Sequence, residues 1–306
     1  MSTTVGARSA TAPLRVLDGA LSWLTEHLDH FNPFEDGELS GLCEVPLAEL
    51  SILTLCGLRC AATPPWDFGL FLDHIESISS NPVYQQRPFR EPETLVSHVI
   101  ATAALDCSGR AVDLDRVGLS RLVQASTLPA PALAPHRMME LRHALDLVRI
   151  RHRLPSYRTL FRRSFASHTV NPIFMSRPEA YVLTHVVFYA TDLGNCAPRG
   201  IAPLETAALS RRVVQLLAMS ICEGNWDLTA EFLFSWYLLA GSRHLPLAQE
   251  AWRCLSSAQR ADGSVPGPRA DPDKAAEADV GAYYHTTLVC ALAALGYLNA
   301  AASDHD

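Results

Sequence analysis

Apolar residues recur at helical spacing along nearly the whole chain, and no segment alternates with the two-residue period of a half-buried strand. That pattern restricts the chain to all-α architectures. It predicts twelve helices, at about 13–31, 45–62, 66–79, 92–107, 115–126, 134–152, 155–167, 177–192, 202–222, 226–240, 245–259 and 281–301. Ser176-Arg177-Pro178-Glu179 reads as a capping box with proline in the first turn, so a helix should begin there. Asn81-Pro82, Arg87-Pro88 and Glu91-Pro92 read as breaks ahead of the fourth helix. Twelve helices with mostly short connections pair into six antiparallel hairpins. This suits an (α/α)6 toroid, or barrel, with inner and outer helices alternating round a central cavity. A weak internal period of about 45–50 residues agrees with it. An irregular helical bundle or a solenoid is the alternative. No linker stands out, so residues 1–306 read as a single α/α-barrel domain, with 1–12 expected to be disordered.

Hydrophobic residues make up 48% of the 306 and charged residues 19%, enough for a large core. The net charge of −7 argues against a nucleic-acid partner, which would require clustered cations. No uninterrupted apolar run reaches the ~18–20 residues of a membrane span, and the N-terminus has no apolar core of a signal peptide. Eight scattered cysteines, most in apolar helical patterns, read as buried, reduced thiols of a cytoplasmic protein. Arginine almost replaces lysine, Lys274 being the only one, and with the high alanine content this points to a GC-rich bacterial gene.

Near the end of the chain, Gln259-Arg-Ala-Asp262-Gly263-Ser264 leads into Tyr283-Tyr284-His285-Thr286-Thr287 and an apolar helix. A glutamine, an Asp-Gly turn, then an aromatic-plus-threonine helix start resembles the repeat of terpenoid cyclases and protein prenyltransferase β-subunits. The likeness covers about 45 residues of the 306. It implies an α/α toroid. In the prenyltransferases a zinc ion is held by an Asp, a nearby Cys and the His of the last repeat. Asn225-Trp226-Asp227 resembles the Asp position and Tyr284-His285-Thr286 the His position. Thr229 stands where the Cys should be, which puts prenyl transfer to a thiol in doubt. Asp113-Leu114-Asp115 falls short of the Asp-x-Asp-Asp acid of class II terpenoid cyclases, so that activity is not expected.

Three polar clusters interrupt apolar helices in the second half: Thr184-His185 with Tyr189 and Asp192, Asp227 with Glu231, and Tyr284-His285-Thr286. They fall on the eighth, tenth and twelfth helices, all of one parity, so in a toroid they would converge on the cavity. Imidazole and carboxylate groups gathered in this way suit a divalent metal, zinc above all. The expected ligands are His185, Asp227 and His285, with Asp192 or Glu231 as an addition. Glu231 could instead serve as a general base, and Tyr284 or Tyr189 as a proton donor. The metal would polarise a carbonyl or acidify water for hydrolysis, cyclisation or elimination on a small or mid-sized organic substrate, free or carrier-linked. Bacterial specialised metabolism is the context this suggests.

Each residue also has a plain structural role available. Asp227 could be a helix N-cap, His185 and His285 could be hydrogen-bonded core groups, and Asp192 could simply close a helix. A carboxylate at Glu231, between Ala230 and Phe232-Leu233-Phe234, would be costly without a partner. His143, Asp146 and His152, with Arg149 and Arg151, read as one solvated helix face. His27 and His30 round Asp29 could bind metal only incidentally. No Gly-x-Ser-x-Gly elbow or glycine-rich phosphate loop is present. Two other classes stay open: a prenyltransferase- or terpene-cyclase-type enzyme, and a non-enzymatic helical scaffold for protein binding.

Overall fold

The structure, a computed structural model, describes residues 11–35, 38–39, 44–61, 66–110, 114–125, 133–240, 244–271, 276 and 279–303. The expected disorder of the N-terminus therefore falls almost wholly outside the described residues, as do Asp113 and Lys274. The protein is all-α. Its helices are α1 (Ala12–Glu26), α2 (Glu44–Leu58), α3 (Gly69–Ser79), α4 (Pro82–Arg90), α5 (Leu95–Ser108), α6 (Arg116–Gln124), α7 (Pro135–Leu147), α8 (Tyr157–Arg163), α9 (Arg177–Ala190), α10 (Pro203–Cys222), α11 (Trp226–Ala240), α12 (Pro246–Ala258) and α13 (Tyr284–Ser303). Phe34–Glu35 pairs antiparallel with Glu38–Leu39, the single extended pairing among the described residues.

Among the described residues there is one α-helix more than the sequence predicts. The Asn81-Pro82 break is the start of α4: Asn81 accepts the amide of Val83 at 2.9 Å, and Pro82 sits in the first turn, where an N–H would have no partner in the helix. Other predicted helices end early. Both α1 and α8 give way to short 3₁₀ turns, Leu28–Phe31 and Phe165–Ser167, and α7 stops at Leu147, two residues before the left-handed Arg149 (φ 59°). At the start of α9, Glu179 takes the backbone N–H of Ser176 at 2.7 Å, as the capping box requires.

The inter-helix contacts close on themselves. α2 packs on α5, α5 on α7, α7 on α9, α9 on α11, α11 on α13, and α13 returns to α2. These six are the helices of even count in the sequence reading, the parity expected to line a cavity. Outside them, α1 lies on α13, α3 and α4 on α5, α8 on α7, and α10 and α12 on α11. The contrast in burial is sharpest between α11 or α13 and α12. Every residue from Asp227 to Ser235 on α11 and from Leu288 to Leu295 on α13 is buried, whereas α12 buries one stripe, Ala248, Ala251, Trp252 and Leu255. Tyr284–Ala302 is long and apolar enough to cross a bilayer, but 67% of that stretch is buried inside the protein, as suits a core helix. None of the seven described cysteines is in a disulfide. Cys56 and Cys290 are buried as expected, but Cys107 and Cys222, in the last turns of α5 and α10, are exposed.

The Gln259–Gly263 motif is a structural tie. Gln259 donates from Nε2 to the carbonyls of Val16 at 2.9 Å and Gly263 at 3.0 Å. Thr287 accepts the amide of Val265 at 2.9 Å, so this loop binds α1 to α13. Gly263 has φ of 95°, and a Cβ there would stand 2.2 Å from the Gly19 carbonyl oxygen. We expect Gly263→Ala to lower stability by roughly 2–3 kcal/mol in urea titration. A change within error would show that the tie contributes nothing.

His98 on α5 is buried against Tyr84, with ring centroids 5.2 Å apart and Nδ1 unpartnered. Burial pushes its pKa down to about 4. Between pH 6.5 and 4 the unfolded chain takes a proton at this position and the folded protein does not, so stability falls as the pH drops through that window. Replacing it by Gln should flatten this loss by roughly 2–3 kcal/mol at pH 4, measured by denaturant titration across the range.

Candidate metal centre

Asp227 and Glu231 lie one turn apart on α11, and both are almost wholly buried. Asp227 is not the cap of its helix. Asn225 fills that role, accepting the Leu228 amide at 3.2 Å, which leaves the Asp227 carboxylate free to face inward. Its Oδ2 accepts a short hydrogen bond from the Tyr181 hydroxyl, and its Oδ1 accepts from Thr286 Oγ1 at 2.8 Å. Glu231 Oε2 accepts a short bond from the Thr184 hydroxyl. Each carboxylate thus has one oxygen engaged from α9, while Asp227 Oδ1 and Glu231 Oε1 face the same imidazole.

That imidazole is His285, in the first turn of α13. Its Nε2 lies 3.6 Å from both Asp227 Oδ1 and Glu231 Oε1, and its Nδ1 lies 3.2 Å from Glu49 Oε2 on α2. One ligand atom from each of Asp227, Glu231 and His285 falls within 4.8 Å of the others. The 3.6 Å separations are too long for hydrogen bonds. They are close to the roughly 3.4 Å edge of a tetrahedron whose ligands stand about 2.1 Å from a zinc ion. Thr184, Tyr181 and Thr286 behind the carboxylates supply outer hydrogen bonds of the kind that orient metal ligands, and Glu49 stands behind Nδ1 as an ion-pair partner. The residues present therefore fit a divalent cation.

Charge balance shapes the group in the absence of a cation. Burial alone would lower the pKa of His285, but Glu49, Glu231 and Asp227 prevail and hold it well above the ordinary imidazole value. Burial, then the Asp227 carboxylate, pushes the Tyr181 phenol up. Burial and Glu49, which it hydrogen-bonds, do the same for Tyr284.

His185 and His285 open onto a cavity of about 330 Å³ lined by residues of α2, α5, α7, α9, α11 and α13. His185 Nε2 lies 3.9 Å from Glu231 Oε1, at the edge of the group. Tyr189 lines the same cavity and donates to Glu140 Oε1 at 2.9 Å. Tyr284 instead turns toward His30 and Phe31, with ring centroids 4.9 and 5.9 Å away. Thr229, two residues after Asp227, points to α10, with Oγ1 3.0 Å from Ser220 Oγ.

Asp192 stands apart from the group. α9 ends at Ala190, Asp192 and Leu193 turn left-handed (φ 50° and 55°), and the carboxylate pairs with His143 Nε2 at 2.8 Å and Arg59 at 3.2 Å. Burial opposes ionisation there, but His143 and Arg59 outweigh it and lower the pKa. His143 is consequently buried, not part of a solvated face. α7 ends before Arg149, and His152 returns to Asp146 at 2.9 Å. Near the N-terminus, His27 is engaged by the Trp23 carbonyl at 2.7 Å. The sequence reading overlooked Glu49. Its signal, a carboxylate inside the apolar run Leu47-Ala48-Glu49-Leu50, is the one that singled out Glu231.

An all-α protein in which six helices contact one another in a closed order and an imidazole–carboxylate group adjoins the cavity they line is the class these features define. Residues 17–295 match the family described as "Domain of unknown function (DUF6895)", and the chain belongs to that family. Comparison with curated proteins and with solved structures finds no match.

The charge balance can be read directly. In chelator-treated protein, histidine-detected NMR titration should find His285 still protonated at neutral pH, and Glu49→Gln should lower its pKa. An unchanged pKa in the variant would remove Glu49 from the group.

Proposed function

We propose that this protein is a metal-dependent enzyme, using zinc held by Asp227, Glu231 and His285 to transform a small or mid-sized organic molecule in the central cavity. The observation that carries this reading is the pair of 3.6 Å separations from His285 Nε2 to two buried carboxylate oxygens. A bound zinc ion would supply a Lewis acid for a carbonyl, or an acidified water. His185, at the cavity wall beside Glu231, is placed to complete the ligand set or to take a proton from the reacting group. Tyr189, whose hydroxyl is held by Glu140, is the proton donor this cavity offers. Asp192 has no part in the proposal, because its carboxylate is bound to His143 and Arg59, and Tyr284 enters it only through its hydrogen bond to Glu49 behind His285.

The likeness to terpenoid cyclases and prenyltransferase β-subunits is consistent with this reading. What supports it is the closed order of helix contacts, which a toroid requires, and the Gln259–Gly263 tie that joins α1 to α13. Transfer from a prenyl diphosphate is less well supported. Arg137, the one guanidinium lining the cavity among the described residues, is paired to Glu140 at 2.6 Å. A role in bacterial specialised metabolism belongs to the same proposal.

A second reading draws on the raised pKa of His285. Held as an imidazolium by three carboxylates, it would act as a general acid with no metal. Metal analysis separates the two. Purified protein dialysed against zinc should carry one equivalent, and His285→Ala, Asp227→Ala and Glu231→Gln should each weaken binding by at least a hundredfold. Absence of zinc from correctly folded wild type would overturn the metal reading and favour the imidazolium.

A further inference from the structure

The cavity above His185 and His285 has a charge and shape that bear on its ligand. Its wall is largely apolar, with Ile52, Ile100, Phe234, Leu288 and Leu292 contributed by four different helices. At about 330 Å³ it is near the lower end of small-molecule sites, with room for roughly ten to fifteen non-hydrogen atoms. Among the described residues, four carboxylates line it, Glu44, Glu49, Glu93 and Glu140, against the single guanidinium of Arg137.

Most of these charges are closed in pairs. Glu44 meets Arg87 at 2.9 Å, Glu49 meets His285 at 3.2 Å, and Glu140 holds Arg137. Glu93, exposed in the 3₁₀ turn Pro92–Thr94, meets no cation among the described residues. The charge left over is thus negative. The same wall carries the aromatic rings of Phe188 and Phe234, centroids 5.0 Å apart, and of Tyr189. An aromatic wall of this kind can hold a cation over a ring face and offers an anion no such attraction. An anion entering here would lose its hydration and gain no free donor charge in return.

We infer that the cavity takes a compact, mostly hydrocarbon ligand of roughly ten to fifteen non-hydrogen atoms whose polar group is neutral or cationic, and that it rejects anions, diphosphates included. The inference rests on the proposed metal centre only for which end of the ligand reacts. Binding is therefore measured with the metal removed, so that a carboxylate probe cannot gain affinity by ligating zinc.

The probes are 1-adamantylammonium, 1-adamantanol and 1-adamantanecarboxylate, which share one hydrocarbon frame, titrated calorimetrically into chelator-treated full-length protein. The ammonium and the alcohol should each bind at least tenfold more tightly than the carboxylate. Glu93→Gln, a surface change, should weaken the ammonium several-fold and leave the alcohol unchanged. Ala48→Trp, which fills the cavity, should abolish binding of all three while circular dichroism reports an intact helical fold. A carboxylate that binds as well as the alcohol, no binding by any probe, or binding insensitive to a folded Ala48→Trp variant would each overturn the inference. Loss of the metal reading alone would leave this selectivity in place.

Discussion

Two carboxylates buried one turn apart on an otherwise apolar helix set the terms for much of this structure. An ionised group withdrawn from water carries a penalty of several kcal/mol unless hydrogen bonds or opposite charge offset it. Asp227 and Glu231 obtain those partners from both neighbouring ring helices: Tyr181 and Thr184 from α9, Thr286 and His285 from α13. His285 extends the chain of partners to Glu49 on α2. One polar network therefore joins four of the six helices in the ring. It also pins the relative depth of α9, α11 and α13, which apolar side chains alone would specify weakly.

The same network is the reason for assigning chemistry to this end of the cavity. Each carboxylate already has a donor at hydrogen-bond distance, Tyr181 and Thr286 on Asp227 and Thr184 on Glu231. Beyond those bonds, Asp227 Oδ1 and Glu231 Oε1 share one imidazole nitrogen at 3.6 Å. Oriented groups that leave a central position between them are what a cation site needs, and the enclosing apolar wall strengthens any charge interaction made within it.

Much of this was legible in the sequence because burial of a charged residue inside an apolar run is visible without coordinates. Glu231 and Asp227 stood out in that way, and Glu49 carries the same mark between Leu47 and Leu50. The parity of the helices bearing the polar clusters also pointed to a shared cavity. Local endings were less readable. Asp192 was placed on the His185 face by helical spacing, but α9 stops at Ala190 and the chain turns left-handed, carrying the carboxylate to His143 and Arg59. His143 was read with Arg149 and Arg151 for the same reason, on a helix that ends at Leu147. Proline spacing suggested a break at Asn81-Pro82, where the asparagine cap starts α4.

The sequence by itself determined the helical class, the parity that separates cavity-lining from outer helices, and which carboxylates would be costly to bury. Those follow from periodicity and solvation, which act locally along the chain. Only the tertiary structure decided that Glu49 stands behind His285, that Asn225 frees Asp227 from capping, and that Asp192 belongs to another network. Those depend on where helices end and which faces meet across more than 200 residues of intervening chain in the case of Glu49 and His285. Partners at that distance are chosen by packing of the whole ring, which no local pattern encodes.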